Sequence, residues 1–285
     1  MKPLLTHFLR LPPSLGRRLL PYLRRLNMMR NLEMGIVMPH LRDPQGLMVL
    51  DAGCHQSIYP LFLVDRGAYL VGIDISSLQI ATAREVTSKL GLNDKTQHLV
   101  ASVSEIPFGE GSFDVVLCNC VLEHVVEDEK AMEEIYRVLK PGGKFLLTVE
   151  CEERGCFLRS LGRLPKGVKA LFLKGEIASA STFEDGLRKH LDGVYGVIRR
   201  YSGPELVNYL HSLGFQVLER RYYLTCVGAF LFESLHSLRG IDITTGIGRL
   251  TFLLISLLSV PLLALLGDIS STPGHGLGIV AVKRA

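Results

Sequence analysis

The chain of 285 residues contains no tryptophan, and aromatic residues make up only 7% of it. So few ring faces argue against a reader of single-stranded or flipped-out nucleic-acid bases, which stacks those bases on aromatic side chains. Its six cysteines, at 54, 118, 120, 151, 156 and 226, form no C-x-x-C pair, and no histidine stands at zinc-site spacing from them. A reducing compartment and no structural metal are the expectations. Cys118 and Cys120 flank Asn119 at a strand end and read as small buried hydrophobes with no chemistry assigned. Acid is missing locally as well. Residues 1 to 32 hold seven cations (Lys2, Arg10, Arg17, Arg18, Arg24, Arg25, Arg30) and no Asp or Glu, which leaves 25 basic against 28 acidic groups elsewhere. The net charge of +4 is therefore a property of one end, suited to an anionic surface more than to a body-wide nucleic-acid groove.

What is present reads as a globular α/β chain with 47% hydrophobic residues, enough to bury a full core in one domain of ordinary size or in one plus an appendage. Arg10 interrupts the first apolar run and no small-residue cleavage pattern follows, so the N-terminal region resembles neither a secretory signal nor a membrane span. Leu19, Tyr22, Leu23 and Leu26 recur at helical spacing with Arg17, Arg18, Arg24 and Arg25 opposite, and Pro21 splits the stretch into two short helices. A basic helix on anionic lipid, a helix capping the sheet or cleft, and an organellar transit peptide all remain open for it. From Gly46 to Val149 strands alternate with helices, which implies a parallel sheet covered on both faces. Ser76 and Ser77 cap a helix over 78–90 that ends at Gly91, Ser57 is placed to cap the helix after the first loop, and a helix over 127–139 stops at Pro141-Gly142. Ser202 caps a helix over 204–213, and strands follow at 215–223 and 276–283. Between these strands, Leu250 to Gly267 is uncharged for eighteen residues. A single crossing would put the last strand across the bilayer from its sheet, and Pro261 divides the run. An in-plane or re-entrant hairpin is one reading, and a helix buried against the domain or a dimer partner is the other.

Val49-Leu50-Asp51-Ala52-Gly53-Cys54-His55-Gln56-Ser57 runs from an apolar strand into a Gly turn, and Tyr69 to Ile73 is a second apolar strand ending in Asp74. Strand, Gly turn, helix, strand, acid is a nucleotide-binding order. Farther on come Ser104 to Phe108, Ser112 to Leu117, Val121-Leu122-Glu123-His124-Val125, and Glu133 to Gly143 before a strand over 144–149. These motifs, in this order over residues 47 to 150, resemble the class I S-adenosylmethionine-dependent methyltransferases, in the branch of the quinone-precursor and sterol methyltransferases. A dehydrogenase is disfavoured, because a dinucleotide fingerprint needs three glycines where this loop has one.

The resemblance implies a Rossmann-like, doubly wound, seven-stranded sheet with an antiparallel last strand and a helical acceptor-side insertion, to which this chain's own residues add a hydrophobic helical segment before the last strand. Composition and resemblance together give four regions: a basic amphipathic helical region 1–45, a cofactor-binding half 46–150, an acceptor-side insertion 151–201, and the C-terminal part 202–285 with a hydrophobic insertion 226–272. S-adenosyl-L-methionine is the implied cofactor. Asp51, Gly53 and Asn119 fall at its methionine end and Asp74 at the ribose hydroxyls; Ile75 and Val103 sandwich the adenine, and Ser102 stands where relatives place Asp for the adenine amino group. His55 stands where relatives have Gly, which leaves tolerated variation, a contact to the methionine carboxylate, or an obstructed pocket. His124, His190 and Tyr195 are the candidate catalytic bases for an acceptor that must lose a proton. The expected acceptor is a lipid-like small molecule, with no nucleic acid partner and a peripheral or monotopic contact at the inner face of a membrane, in the cytoplasm. A catalytically silent binding or assembly subunit is the alternative, on the strength of His55 and Ser102.

Overall fold

The computed structural model describes residues 28–57, 59–152, 196–223, 269–270 and 276–284, with Pro12 and Ser14. His190 and Tyr195, the helical stretch expected at 15–27, the run from Leu250 to Gly267, and most of the two insertions lie outside the described residues.

Eight strands form one mixed sheet: β1 (Met48–Ala52), β2 (Tyr69–Asp74), β3 (Thr96–Val100), β4 (Phe113–Asn119), β5 (Leu139–Glu150), β6 (Phe215–Tyr223), β7 (Ile269–Ser270) and β8 (Gly276–Lys283). Their order is β3-β2-β1-β4-β5-β8-β6-β7. The first five pair in parallel, and β8 runs antiparallel between β5 and β6. The expected doubly wound sheet of seven strands is therefore present, and the two-residue β7 is added at its edge. The described helices are α1 (Met28–Val37), α2 (Leu61–Asp65), α3 (Ser77–Lys89), α4 (Asp128–Val138) and α5 (Gly203–Ser212).

Strand alternation sorts the core into two layers. Leu50, Ala52, Val71, Ile73 and Val116 meet Ala131, Met132 and Ile135 of α4 and Leu206 and Leu210 of α5 on one face. Val49, Leu70, Val115 and Leu117 meet Met34 and Val37 of α1, Leu61 and Val64 of α2, and Val86 of α3 on the other. The chain after β1 thus turns to one face and the chain after β4 to the opposite face. Their loops part where the two strands lie side by side, and a crevice opens at the carboxyl ends of the strands.

Several local expectations shift. Ser76 caps α3 as expected, its Oγ accepting from the Gln79 N–H at 3.4 Å, and Gly91 takes φ +63 just past the end. Ser57 does not cap the next helix, because α2 starts only at Leu61 behind Pro60. Ser202 sits at the N-cap of α5, but its side chain makes no cap bond. The helix expected over 127–139 ends at Val138, and β5 begins at once with Leu139 opposite Phe113; Lys140 to Gly143 are absorbed where the register shifts. Lys283 secures both parts. Its buried ammonium reaches from β8 to the carbonyls of Tyr136 and Leu139, 2.9 Å each, placing a cation at the electronegative end of α4.

His98 on β3 packs over Gly72 of β2, where a Cβ would stand 2.8 Å from the imidazole Cδ2 and 2.9 Å from Cys54 Sγ. Nε2 of this buried ring has no hydrogen-bond partner. Burial, helped by the nearby Arg84 guanidinium, lowers the imidazole to about 4. Between that value and about 6.5, where a free imidazole titrates, the unfolded chain binds more protons than the fold, so stability falls as pH drops through this window. Unfolding in urea should therefore show about 2 kcal/mol lost between pH 7 and pH 5 through this one group. His98→Leu should have a pH dependence shallower by that amount, and equal slopes would exclude His98 as the cause.

Candidate functional site

Asp74 ends β2, and its carboxylate ties two loops together. Oδ2 accepts the His55 N–H and Oδ1 the Ser76 N–H, both at 2.9 Å. The loop after β1 folds back onto the same strand, with the Gly53 and Cys54 N–H groups both donating to the Ile73 carbonyl at 2.9 and 2.8 Å. Three of its residues have left-handed backbone: Gly53 (φ +76), His55 (φ +49) and Ser57 (φ +51). His55 therefore adopts a conformation that favours glycine, while its N–H holds Asp74. Ser57 points back, its Oγ 3.5 Å from Asp51 Oδ2.

A cleft of about 660 Å³ opens above these loops. Asp51, Gly53, His55, Asp74, Ile75, Ser102, Val103 and Asn119 all line it, and so does His124. The strand ends thus bring together every candidate except His190 and Tyr195. Val103 is buried and Ile75 is 80% exposed. Ser102 Oγ already accepts the Ser104 N–H at 3.1 Å.

His124 closes a short helical turn, Leu122–His124, and its Nδ1 lies 3.0 Å from the Gly196 carbonyl oxygen. A carbonyl only accepts, so Nδ1 carries the hydrogen and Nε2 is the basic atom of the neutral ring. Residues 196–201 are held there by a set of bonds: Ile198 N–H to the Glu123 carbonyl at 2.9 Å, Tyr201 OH to Asp128 Oδ2 at 2.7 Å, and Arg199 to Asp128 Oδ1 and, at 3.0 Å, to the Val126 carbonyl. Burial, then the Asp128 carboxylate, pushes the Tyr201 phenol well up, so it stays a donor.

Three features escaped the sequence reading. Cys118 is a small buried apolar residue as expected, whereas Cys120 lines the cleft at φ +51, its thiol donating to the buried Glu33 of α1 at 3.1 Å. Tyr223 OH lies 3.7 Å from the same sulfur. Gln56 is buried in the cleft wall. Burial raises the Cys54 and Cys118 thiols well above their usual range, Asp51 and Asp74 adding to it for Cys54, Glu123 and Asp51 for Cys118. Neither is a thiolate nucleophile. Among the described residues no His, Cys, Asp and Glu group is placed to hold a metal, and no helix is long and apolar enough to cross a membrane.

Residues 50–147 match the model of a methyltransferase domain. Sterol 4-C-methyltransferase strm-1 of Caenorhabditis elegans is 35% identical over 103 residues, 36% of this chain and 31% of its own length. Ubiquinone/menaquinone biosynthesis C-methyltransferase UbiE of Brucella anthropi is 40% identical over 81 residues, 28% of this chain and 31% of its own length. The chain thus spans about three tenths of these curated relatives. Among solved structures, the (4+2)-cyclase SpnF aligns with a TM-score of 0.58 over 90% of this chain and 81% of its own, at 19% identity. It shares the fold; a cyclase on that fold also shows that architecture does not fix the reaction.

Gly53 has the least freedom in the site, because a Cβ there would meet Val121 Cγ2 at 2.4 Å in addition to the cost of φ +76. Gly53→Ala should destabilise the fold by about 2 to 4 kcal/mol in chemical unfolding. Adding Val121→Ala should recover part of that loss, and strictly additive effects would show that the two residues do not collide.

Proposed function

We propose that the methyltransferase domain carried by residues 50–147 binds S-adenosylmethionine in the cleft and that the protein methylates a lipid-like, membrane-partitioned small molecule. The observation that carries this reading is the convergence of Asp51, Gly53, Asp74 and Asn119 on one cleft, whose volume of about 660 Å³ suits a cofactor and a small acceptor together. Each Asp74 oxygen takes one backbone N–H and has acceptor capacity left for a ribose hydroxyl. Ile75 and Val103 would flank the adenine, with Ser102 a weaker acceptor than a carboxylate toward its amino group. Asp51, Gly53 and Asn119 would meet the methionine end. When bound, S-adenosylmethionine supplies a methyl group on a sulfonium, already a good leaving group, so the chain chiefly positions and removes water.

His124 would take the proton released by the acceptor, at Nε2, with the Gly196 carbonyl fixing the ring. His190 and Tyr195 stay as candidates from the acceptor-side insertion 151–201. The relatives named for sterol and for ubiquinone/menaquinone biosynthesis support a lipid-like acceptor. The basic residues 1–32 and the uncharged run 250–267 support a place at the inner face of a membrane.

Calorimetry on the full chain should give cofactor affinity of about −8 kcal/mol, in the micromolar range. Asp74→Ala should weaken it by about 2 to 3 kcal/mol, or roughly 30- to 150-fold. Unchanged affinity in the folded variant would refute the role of Asp74. A native protein that fails to bind, beside a His55→Gly variant that does, would favour the silent-subunit reading.

Sedimentation with anionic liposomes tests the location. The full chain should stay bound at high salt, since apolar insertion is not screened, and deletion of residues 1–30 should weaken binding. Ser at Leu257, Leu258, Leu262 and Leu263 should make the remainder salt-sensitive. A protein indifferent to lipid removes this part of the reading.

A further inference from the structure

Gln56 stands between two residues whose backbone is fixed. Asp74 Oδ2 accepts the His55 N–H at 2.9 Å, and the Cys54 carbonyl accepts the Ser57 N–H at 2.7 Å. Both neighbours have left-handed backbone, so the turn cannot carry Gln56 away from the cleft wall without losing those bonds. The side chain is 7% exposed, yet no donor among the described residues reaches its Oε1. A buried amide carbonyl left in this state keeps its desolvation cost, and folded proteins pair nearly all such groups. An apolar side chain of the same length would fill the place without that cost, so the amide points to a ligand.

The last torsion of a glutamine side chain is soft, and its oxygen turns readily to meet a donor in the cleft. S-adenosylmethionine brings three sets of donors, on the adenine amino group, the ribose hydroxyls and the ammonium of its amino-acid end. The reading above gives the first to Ser102 and the second to Asp74. The ammonium has three N–H bonds to place and enters at the Asp51 end of the cleft. Ser57, the residue after Gln56, already reaches toward that end, its Oγ 3.5 Å from Asp51 Oδ2. Gln56 is therefore the acceptor on this turn that the ammonium would meet beside Asp51.

We infer that Gln56 is a cofactor-binding residue whose Oε1 accepts from the ammonium, and that the cleft selects adenosyl ligands carrying that amine. This rests on the methyltransferase reading above and deepens it by a residue and a basis for selectivity. An amide in a buried wall discriminates by what it loses: a ligand without the donor leaves the carbonyl unpaired, as it is in the empty cleft.

Two measurements on the full chain decide it. Calorimetry compares S-adenosylhomocysteine with its deaminated analogue, which differ by the amine alone. Gln56→Met, or Gln56→Leu if the first does not fold, should weaken S-adenosylhomocysteine roughly tenfold more than the analogue. Equal losses for the two ligands overturn the inference. Thermal melting without ligand gives the second readout. Because the variant removes an unpaired buried carbonyl, it should melt at or above the temperature of the unaltered protein; a lower melting temperature means that the amide serves the fold, and overturns the inference. Failure of the unaltered protein to bind either ligand removes the methyltransferase reading itself, whereas binding of both with equal losses in the variant removes only the role of Gln56.

Discussion

The carboxylate of Asp74 is the contact on which the site depends. It is the last residue of β2, and its two oxygens hold the N–H groups of His55 and Ser76, one from each loop that flanks the cleft. Backbone hydrogen bonds to a carboxylate are stronger than neutral ones, and here they hold left-handed backbone at His55, a residue that resists it. Because the loop is pinned to the strand end, Gly53 and Cys54 reach the Ile73 carbonyl and the cleft keeps its floor. The same carboxylate would then be presented, already oriented, to a nucleoside.

Beneath this clasp the fold separates support from chemistry. Two apolar layers on opposite faces of the sheet carry the packing, and the polar groups gather at the carboxyl ends of β1, β2 and β4. Remote ties set the walls. Lys283 fastens β8 to the end of α4, and Asp128 at the start of α4 holds Tyr201 and Arg199, which brings Gly196 to His124. One helix thus has a cation at its carbonyl end and an anion in its first turn, both favourable to its dipole, and both ends position something else.

Much of this was legible in the sequence because it is local. Apolar runs bounded by turns marked β1, β2 and β8, and Asp51, Gly53, Asp74 and Asn119 stand at strand ends that a parallel sheet must align. The rest depends on distance along the chain. Nothing near Cys120 announces Glu33, 87 positions away, and nothing near Lys283 announces the end of α4, which lies more than 140 positions earlier. Ser57 and Ser202 carried the residue type of a cap without the geometry, since Pro60 moved the start of α2 and the Ser202 hydroxyl leaves α5 uncapped. By residue type alone His55 left tolerated variation, a cofactor contact or an obstructed pocket open; its backbone takes the left-handed conformation that a glycine would take in that turn.

Hydrogen–deuterium exchange on the full chain, with and without S-adenosylhomocysteine, tests the central claim most directly, because it locates the ligand without knowledge of the acceptor. The account predicts slowed exchange at residues 53–57, 74–76, 101–104 and 119–125, the four segments that meet at the cleft, and little change in β6 and β8. Binding that leaves those segments unchanged, or that protects residues away from the carboxyl ends of β1, β2 and β4, would contradict it.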